Sequence, residues 1–109
     1  MAAVAELSIR RVAGALGAEV DGVDLARPLA PETVARLRAA WLEHQVLFFR
    51  EQPLTPAQFM ALARAFGAPI EYPFVQGIDG FPEIIEVKKL EHETANFGGI
   101  WHSDTARRA

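Results

Sequence analysis

Apolar residues in the middle of the chain recur at helical spacing in two stretches and run together in a third between them. Val34, Leu37 and Trp41 fall at i, i+3 and i+7, one apolar stripe of a helix that starts at Pro31. Pro31 suits the first helical position, whose N–H has no partner inside the helix, and Glu32 suits the positive end of the dipole. Glu32 and Arg36 stand four apart in the favourable orientation, and His44 closes the helix near its negative end. Val46-Leu47-Phe48-Phe49 is a continuous apolar run too short for a helix, which predicts a strand buried on both faces. Thr55-Pro56-Ala57-Gln58 reads as a capping box with Pro at the first helical position. Phe59, Leu62, Ala63 and Phe66 mark the face of the helix that follows. Gly67 is expected as its left-handed cap, and Pro69 prevents continuation.

Either side of this segment the patterns are shorter. Leu7 to Val12 alternates as a half-buried strand and gives way to the turn Gly14-Ala15-Leu16-Gly17. Ala18 to Val23 reads as a second strand, with Glu19 and Asp21 on one face and Ala18 and Val20 on the other. Tyr72 to Gly80 is irregular and aromatic, with a turn at Asp79-Gly80. Ile84-Ile85-Glu86-Val87 reads as a further strand, introduced by Pro82. Leu90 to Gly99 is a polar loop ending in two glycines. Two helices and an apolar strand need partners that few remaining strands can supply, and small domains are marginal even when complete. Residues 1–109 therefore read as the first part of one larger α+β domain, with no internal repeat or boundary.

Composition narrows the function classes. Of 109 residues, 50% are hydrophobic and 23% charged, which is globular rather than disordered composition. A net charge of −3 leaves no basic footprint for nucleic acid. The absence of cysteine excludes disulfides and thiolate metal sites. No apolar run approaches the roughly 20 residues that cross a bilayer. Glu6 precedes Arg10-Arg11, the reverse of a secretory signal's charge order. The expectation is a soluble cytoplasmic protein.

His102-Ser103-Asp104 holds the candidate chemistry, behind Gly98-Gly99-Ile100-Trp101. Side chains two apart on an extended backbone project to one face, so this imidazole and carboxylate can reach one cation. With a second His they form the facial triad of non-haem Fe(II) oxygenases. His-x-Asp alone is a common tripeptide, and a His satisfied by its neighbouring carboxylate beside a packed Trp is the structural alternative. A metal hydrolase using the same pair is a weaker reading, because no hydrolytic base or zinc-type ligand set accompanies it.

Four segments, taken in order, carry a resemblance. They are Leu16 to Leu25 with Arg27-Pro28-Leu29, His44 to Arg50 with Gln52, Leu54-Thr55-Pro56 with Phe59, Leu62-Ala63 and Phe66-Gly67, and Trp101 to Asp104. Over nearly the whole chain the sequence resembles the N-terminal part of the taurine catabolism dioxygenase family, Fe(II)- and 2-oxoglutarate-dependent oxygenases. The resemblance implies a double-stranded β-helix, a jelly roll decorated by helices, of which this chain carries the N-terminal portion. It also implies that His102 and Asp104 are metal ligands to Fe(II) and that 2-oxoglutarate and O₂ are consumed to give succinate and CO₂ while a small organic substrate is hydroxylated. Family members place a second His, a 2-oxoglutarate-binding Arg and a Thr further on, and none has a counterpart here. No cofactor-binding residue is therefore assigned in this chain, and no catalytic one beyond the two ligands. Thr105 is followed by Ala106-Arg107-Arg108-Ala109, where the family pattern has an aromatic.

Other residues have plainer roles open to them. Tyr72 falls near a position where taurine-cleaving relatives carry a polar substrate contact, normally His, which puts taurine itself in doubt. Asn96 and Phe97, upstream of the metal motif, are candidates for the pocket mouth, whereas Phe74 suits loop packing. His44 is expected to cap or pack, and His92, between Glu91 and Glu93, to be solvated. Arg107 and Arg108 are expected to be solvated too. The alternative to an enzyme is a non-catalytic remnant or interaction module of the same fold, with exposed apolar surface and self-association. Homo-oligomerisation is compatible with either reading.

Overall fold

A computed structural model describes residues 7–96 and 98–103. The chain divides into two compact units, residues 1–70 and 71–109. In the first, β1 (Ser8–Arg11), β2 (Ala18–Asp21), α1 (Pro31–His44), β3 (Leu47–Phe48) and α2 (Pro56–Phe66) follow one another. The strands form one sheet in the order β1-β2-β3. β1 runs antiparallel to β2, while β2 and β3 are parallel, Ala18 facing Leu47 and Glu19 facing Phe48. Parallel strands need a crossover, and α1 supplies it.

β2 alternates as its sequence predicts: Ala18 and Val20 are buried, whereas Asp21 on the opposite face is exposed. It ends at Asp21 rather than Val23, where Gly22 turns the chain with φ of +85°. The β1–β2 turn closes when the Val12 N–H donates to the Gly17 carbonyl at 3.1 Å. Gly17 has φ of +97°, a conformation that favours glycine, and a Cβ there would lie 3.0 Å from Val12 Cγ2, so that side chain would have to give.

β3 departs from expectation. It is a two-residue edge strand, and Val46 and Phe48 are exposed rather than buried on both faces. It pairs with β2 along one edge, and no described residue pairs with the other.

α1 begins and ends as its caps predict, with Leu37 and Ala40 at the centre of the buried face. Trp41 lies at that face's margin, 46% exposed, and meets Phe66 of α2 edge-on at 6.4 Å. The Glu32–Arg36 pair is not made among the described residues. α2 has both halves of its capping box: the Gln58 N–H donates to Thr55 Oγ1 at 3.2 Å, and the Thr55 N–H to Gln58 Oε1 at 2.9 Å. Its buried residue is Met60, 3% exposed, and of the expected stripe Leu62, Ala63 and Phe66 are half-buried whereas Phe59 is 51% exposed. Gly67 is not left-handed either. Its φ of 174° is ordinary extended backbone, although its N–H still reaches the Ala63 carbonyl at 3.1 Å. Arg38 of α1 finishes this helix end by donating to the Phe66 carbonyl at 2.8 Å.

The second unit contains turns and, among its described residues, no strand. The expected Asp79-Gly80 turn forms: Gly80 has φ of +79°, and the Phe81 N–H donates to the Ile78 carbonyl at 3.0 Å. The strand expected at residues 84–87 does not form. Ile84 is drawn into this turn, its N–H donating to Phe81 and its carbonyl accepting from the Ile78 N–H at 2.8 Å. Val87 beyond it is exposed, with no strand alongside among the described residues.

Candidate functional site

His102 is held by its own backbone neighbourhood. Its Nδ1 lies 2.8 Å from the Ile100 carbonyl oxygen. A carbonyl only accepts, so this contact puts a proton on Nδ1, and in the neutral ring Nε2 is the nitrogen with a lone pair. Orienting an imidazole by a backbone carbonyl in this way is the usual preparation of a metal-binding histidine. Asp104 lies outside the described residues, as does Phe97. Among the described residues no three His, Asp or Glu side chains gather round a point where a cation would sit.

The two glycines before His102 have separate tasks. Gly98 has φ of +67°, and a Cβ there would stand 3.4 Å from His102 Cε1. Gly99 donates its N–H to the Asn96 carbonyl at 3.2 Å, and a Cβ on Gly99 would lie only 3.1 Å from Asn96 Cβ. The turn thus runs from Asn96 to Gly99, three residues before His102. Asn96 is also fixed from outside the turn, because Lys89 Nζ donates to its Oδ1 at 2.7 Å. Sequence reasoning missed that contact: seven residues of irregular chain separate the pair, and no periodicity signals it. The segment between closes where the Glu93 N–H donates to the Leu90 carbonyl at 3.0 Å and the Leu90 N–H to Glu93 Oε2 at 3.3 Å.

Tyr72 packs against Phe74, ring centres 5.3 Å apart and nearly perpendicular. Phe74 itself is largely exposed, so it is no core residue. Trp101 is fully exposed rather than packed. His92 is exposed, as expected for a solvated loop residue. His44 is structural: its side chain is only 12% exposed, and its carbonyl accepts from both Gly17 and Val46 N–H groups at 2.8 Å.

The same contacts explain why the first two motif segments belong together. Gln52 Oε1 accepts from the Leu25 N–H, and its Nε2 donates to the Val23 carbonyl, each at 3.0 Å. Arg50 pairs with Glu19 at 3.2 Å while lying over the Phe48 ring, and Arg10 reaches the same Glu19 from the other side at 3.1 Å. The family model described as taurine catabolism dioxygenase TauD, TfdA family matches residues 8–109. The chain belongs to this family. An alkylsulfatase of Acinetobacter baylyi is 37% identical over 100 residues, 91% of this chain and 31% of the relative. An alpha-ketoglutarate-dependent sulfate ester dioxygenase of Pseudomonas putida is 35% identical over 100 residues, 91% of this chain and 32% of the relative. Among solved structures, a taurine dioxygenase from Burkholderia xenovorans superposes with a TM-score of 0.66 at 42% identity, covering 70% of this chain and 28% of that one. The chain spans about a third of the length of the curated relatives it matches. Its α+β arrangement of a small mixed sheet and two helices is the N-terminal portion of the TauD-type jelly-roll fold. No helix among the described residues is long and apolar enough to cross a membrane.

Proposed function

We propose that residues 1–109 are the N-terminal part of a single Fe(II)- and 2-oxoglutarate-dependent dioxygenase domain and bring it two iron ligands, His102 and Asp104. The observation that supports this reading is the His102 Nδ1 contact to the Ile100 carbonyl, an orientation in which Nε2 would be the ligating nitrogen. A neutral imidazole with a carboxylate two residues on is a donor set that fits a ferrous ion. When bound, iron with 2-oxoglutarate and O₂ supplies the oxidising chemistry, releasing succinate and CO₂ as a substrate C–H bond is hydroxylated. The chain's own part is to orient the imidazole through Ile100 and to hold Asn96 at the start of the turn that precedes it. Tyr72 and Phe97 are the further substrate contacts in this reading. Names of relatives, which refer to an alkylsulfatase, a sulfate ester and taurine, favour a small organic substrate with an anionic sulfur–oxygen group. A cytoplasmic location agrees with the composition.

Calorimetric titration of the chain with Mn(II) under anaerobic conditions tests the assignment. Weak binding that disappears in His102→Ala and in Asp104→Ala is expected, because two ligands hold a cation less well than three. Tight one-to-one binding that survives His102→Ala would reject it.

The second reading is a non-catalytic interaction module of the same fold. It is favoured by the apolar surface at Leu42 (76% exposed) and Ile100 (82% exposed). It predicts self-association in size-exclusion chromatography, and a compact, thermally robust monomer would count against it.

A further inference from the structure

Lys89 and Asn96 form a contact that the iron chemistry leaves unused. The Nζ–Oδ1 separation of 2.7 Å is that of a charge-assisted hydrogen bond. An ammonium group only donates, so it settles which way the amide faces: Oδ1 is taken by Lys89, and Nδ2 with its two N–H groups points the other way. The rest of Asn96 is equally constrained. Its carbonyl receives the Gly99 N–H at 3.2 Å, and a Cβ on Gly99 would stand only 3.1 Å from Asn96 Cβ. Glu93, in the same loop, is turned to the Leu90 N–H. The same glycine turn leads to His102.

We propose that Lys89 is a positioning residue that makes Asn96 a hydrogen-bond donor for an anionic sulfate-ester oxygen and disfavours substrates that present an ammonium group there. This rests on the reading of Asn96 as a substrate contact. An amide whose oxygen is occupied offers only N–H groups: these complement sulfate oxygens, whereas an ammonium would meet donor with donor.

NMR of the ¹⁵N-labelled protein, following the Asn96 side-chain amide, tests this with hexyl sulfate and hexylammonium as probes. Hexyl sulfate is expected to shift the Nδ2 resonances and hexylammonium to leave them in place. Lys89→Met should rotate the amide, seen as a changed resonance before any probe is added, and weaken hexyl sulfate binding roughly tenfold. Lys89→Arg should restore both. In an Asn96→Ala background, Lys89→Met should cause no further loss. A full additional loss there would show that Lys89 meets the anion directly, overturning the positioning role. An unchanged amide in Lys89→Met, or an equal response to hexylammonium, would overturn it as well. If neither probe moves Asn96 in any variant, the substrate-contact reading fails and takes this inference with it, while the iron assignment stands on its own Mn(II) titration.

Discussion

Gln52 holds Leu25 by the backbone, its Oε1 accepting the Leu25 N–H at 3.0 Å, across 27 residues of sequence. The other end of the same amide donates to the Val23 carbonyl, so one side chain satisfies a donor and an acceptor of a loop that has no strand to pair with. Replacing Gln52 by Leu leaves both backbone groups without that partner, at a cost of about 1–3 kcal/mol. Gln52→Glu keeps the acceptor but sets a carboxylate against the Val23 carbonyl, and should be no better. Urea denaturation of the three proteins decides the point; equal midpoints would show that water replaces the amide without loss.

The end of α1 contains a strained residue. Gln45 has φ of 70° and ψ of −34°, and the Val46 N–H donates to the His44 carbonyl at 2.8 Å across it, a γ-turn of the rarer hand. Glycine takes this conformation without a Cβ clash, whereas valine is among the worst residues there. Gln45→Gly should therefore gain about 1 kcal/mol net of its extra unfolded-state freedom, and Gln45→Val should lose more than that. Denaturation midpoints at 25 °C give both signs.

Thr55 and Gln58 cap α2 reciprocally. Thr55→Ala should lower stability by about 1 kcal/mol and Thr55→Ser by much less, because Ser retains the accepting oxygen. Thermal unfolding followed at 222 nm distinguishes them.

Gly77 is required by space. A Cβ on Gly77 would collide with the backbone of Pro82, and backbone cannot step aside as a flexible side chain does. Gly77→Ala should open the turn at residues 78–84, seen as loss of hydrogen-exchange protection at the Ile78 amide, which otherwise bonds to the Ile84 carbonyl. Retained protection would show that the segment adjusts without opening.

The sequence was most legible where structure is local. Pro31 and the Thr55–Gln58 box start their helices at the residues they predict, because a cap is decided within one turn. Alternation in β2 was equally clear, since its inward pair Ala18 and Val20 carries no polar atom. Partners distant in sequence escaped. The apolar run at Val46 to Phe49 says that something covers both faces, but not that its outer edge is open among the described residues. Ile84 to Val87 has strand composition, yet Ile84 hydrogen-bonds backwards into its own turn. Gly67 follows a helix as a left-handed cap would, yet it is extended, with the helix end finished by Arg38 instead. At the candidate site the motif residue His102 was evident from its neighbours. The Lys89 bond that orients Asn96 was not, because only a folded loop brings the two together.

The placement of the two tryptophans gives each unit its own optical reporter. Trp41 meets Phe66 inside the first unit, and Trp101 stands in water next to His102 in the second. With Trp41→Phe, the remaining emission comes from an indole one residue from the imidazole, where a paramagnetic ion would quench it. With Trp101→Phe, the signal reports on the helix pair alone, so metal capture and unfolding can be followed separately in one protein without an added dye.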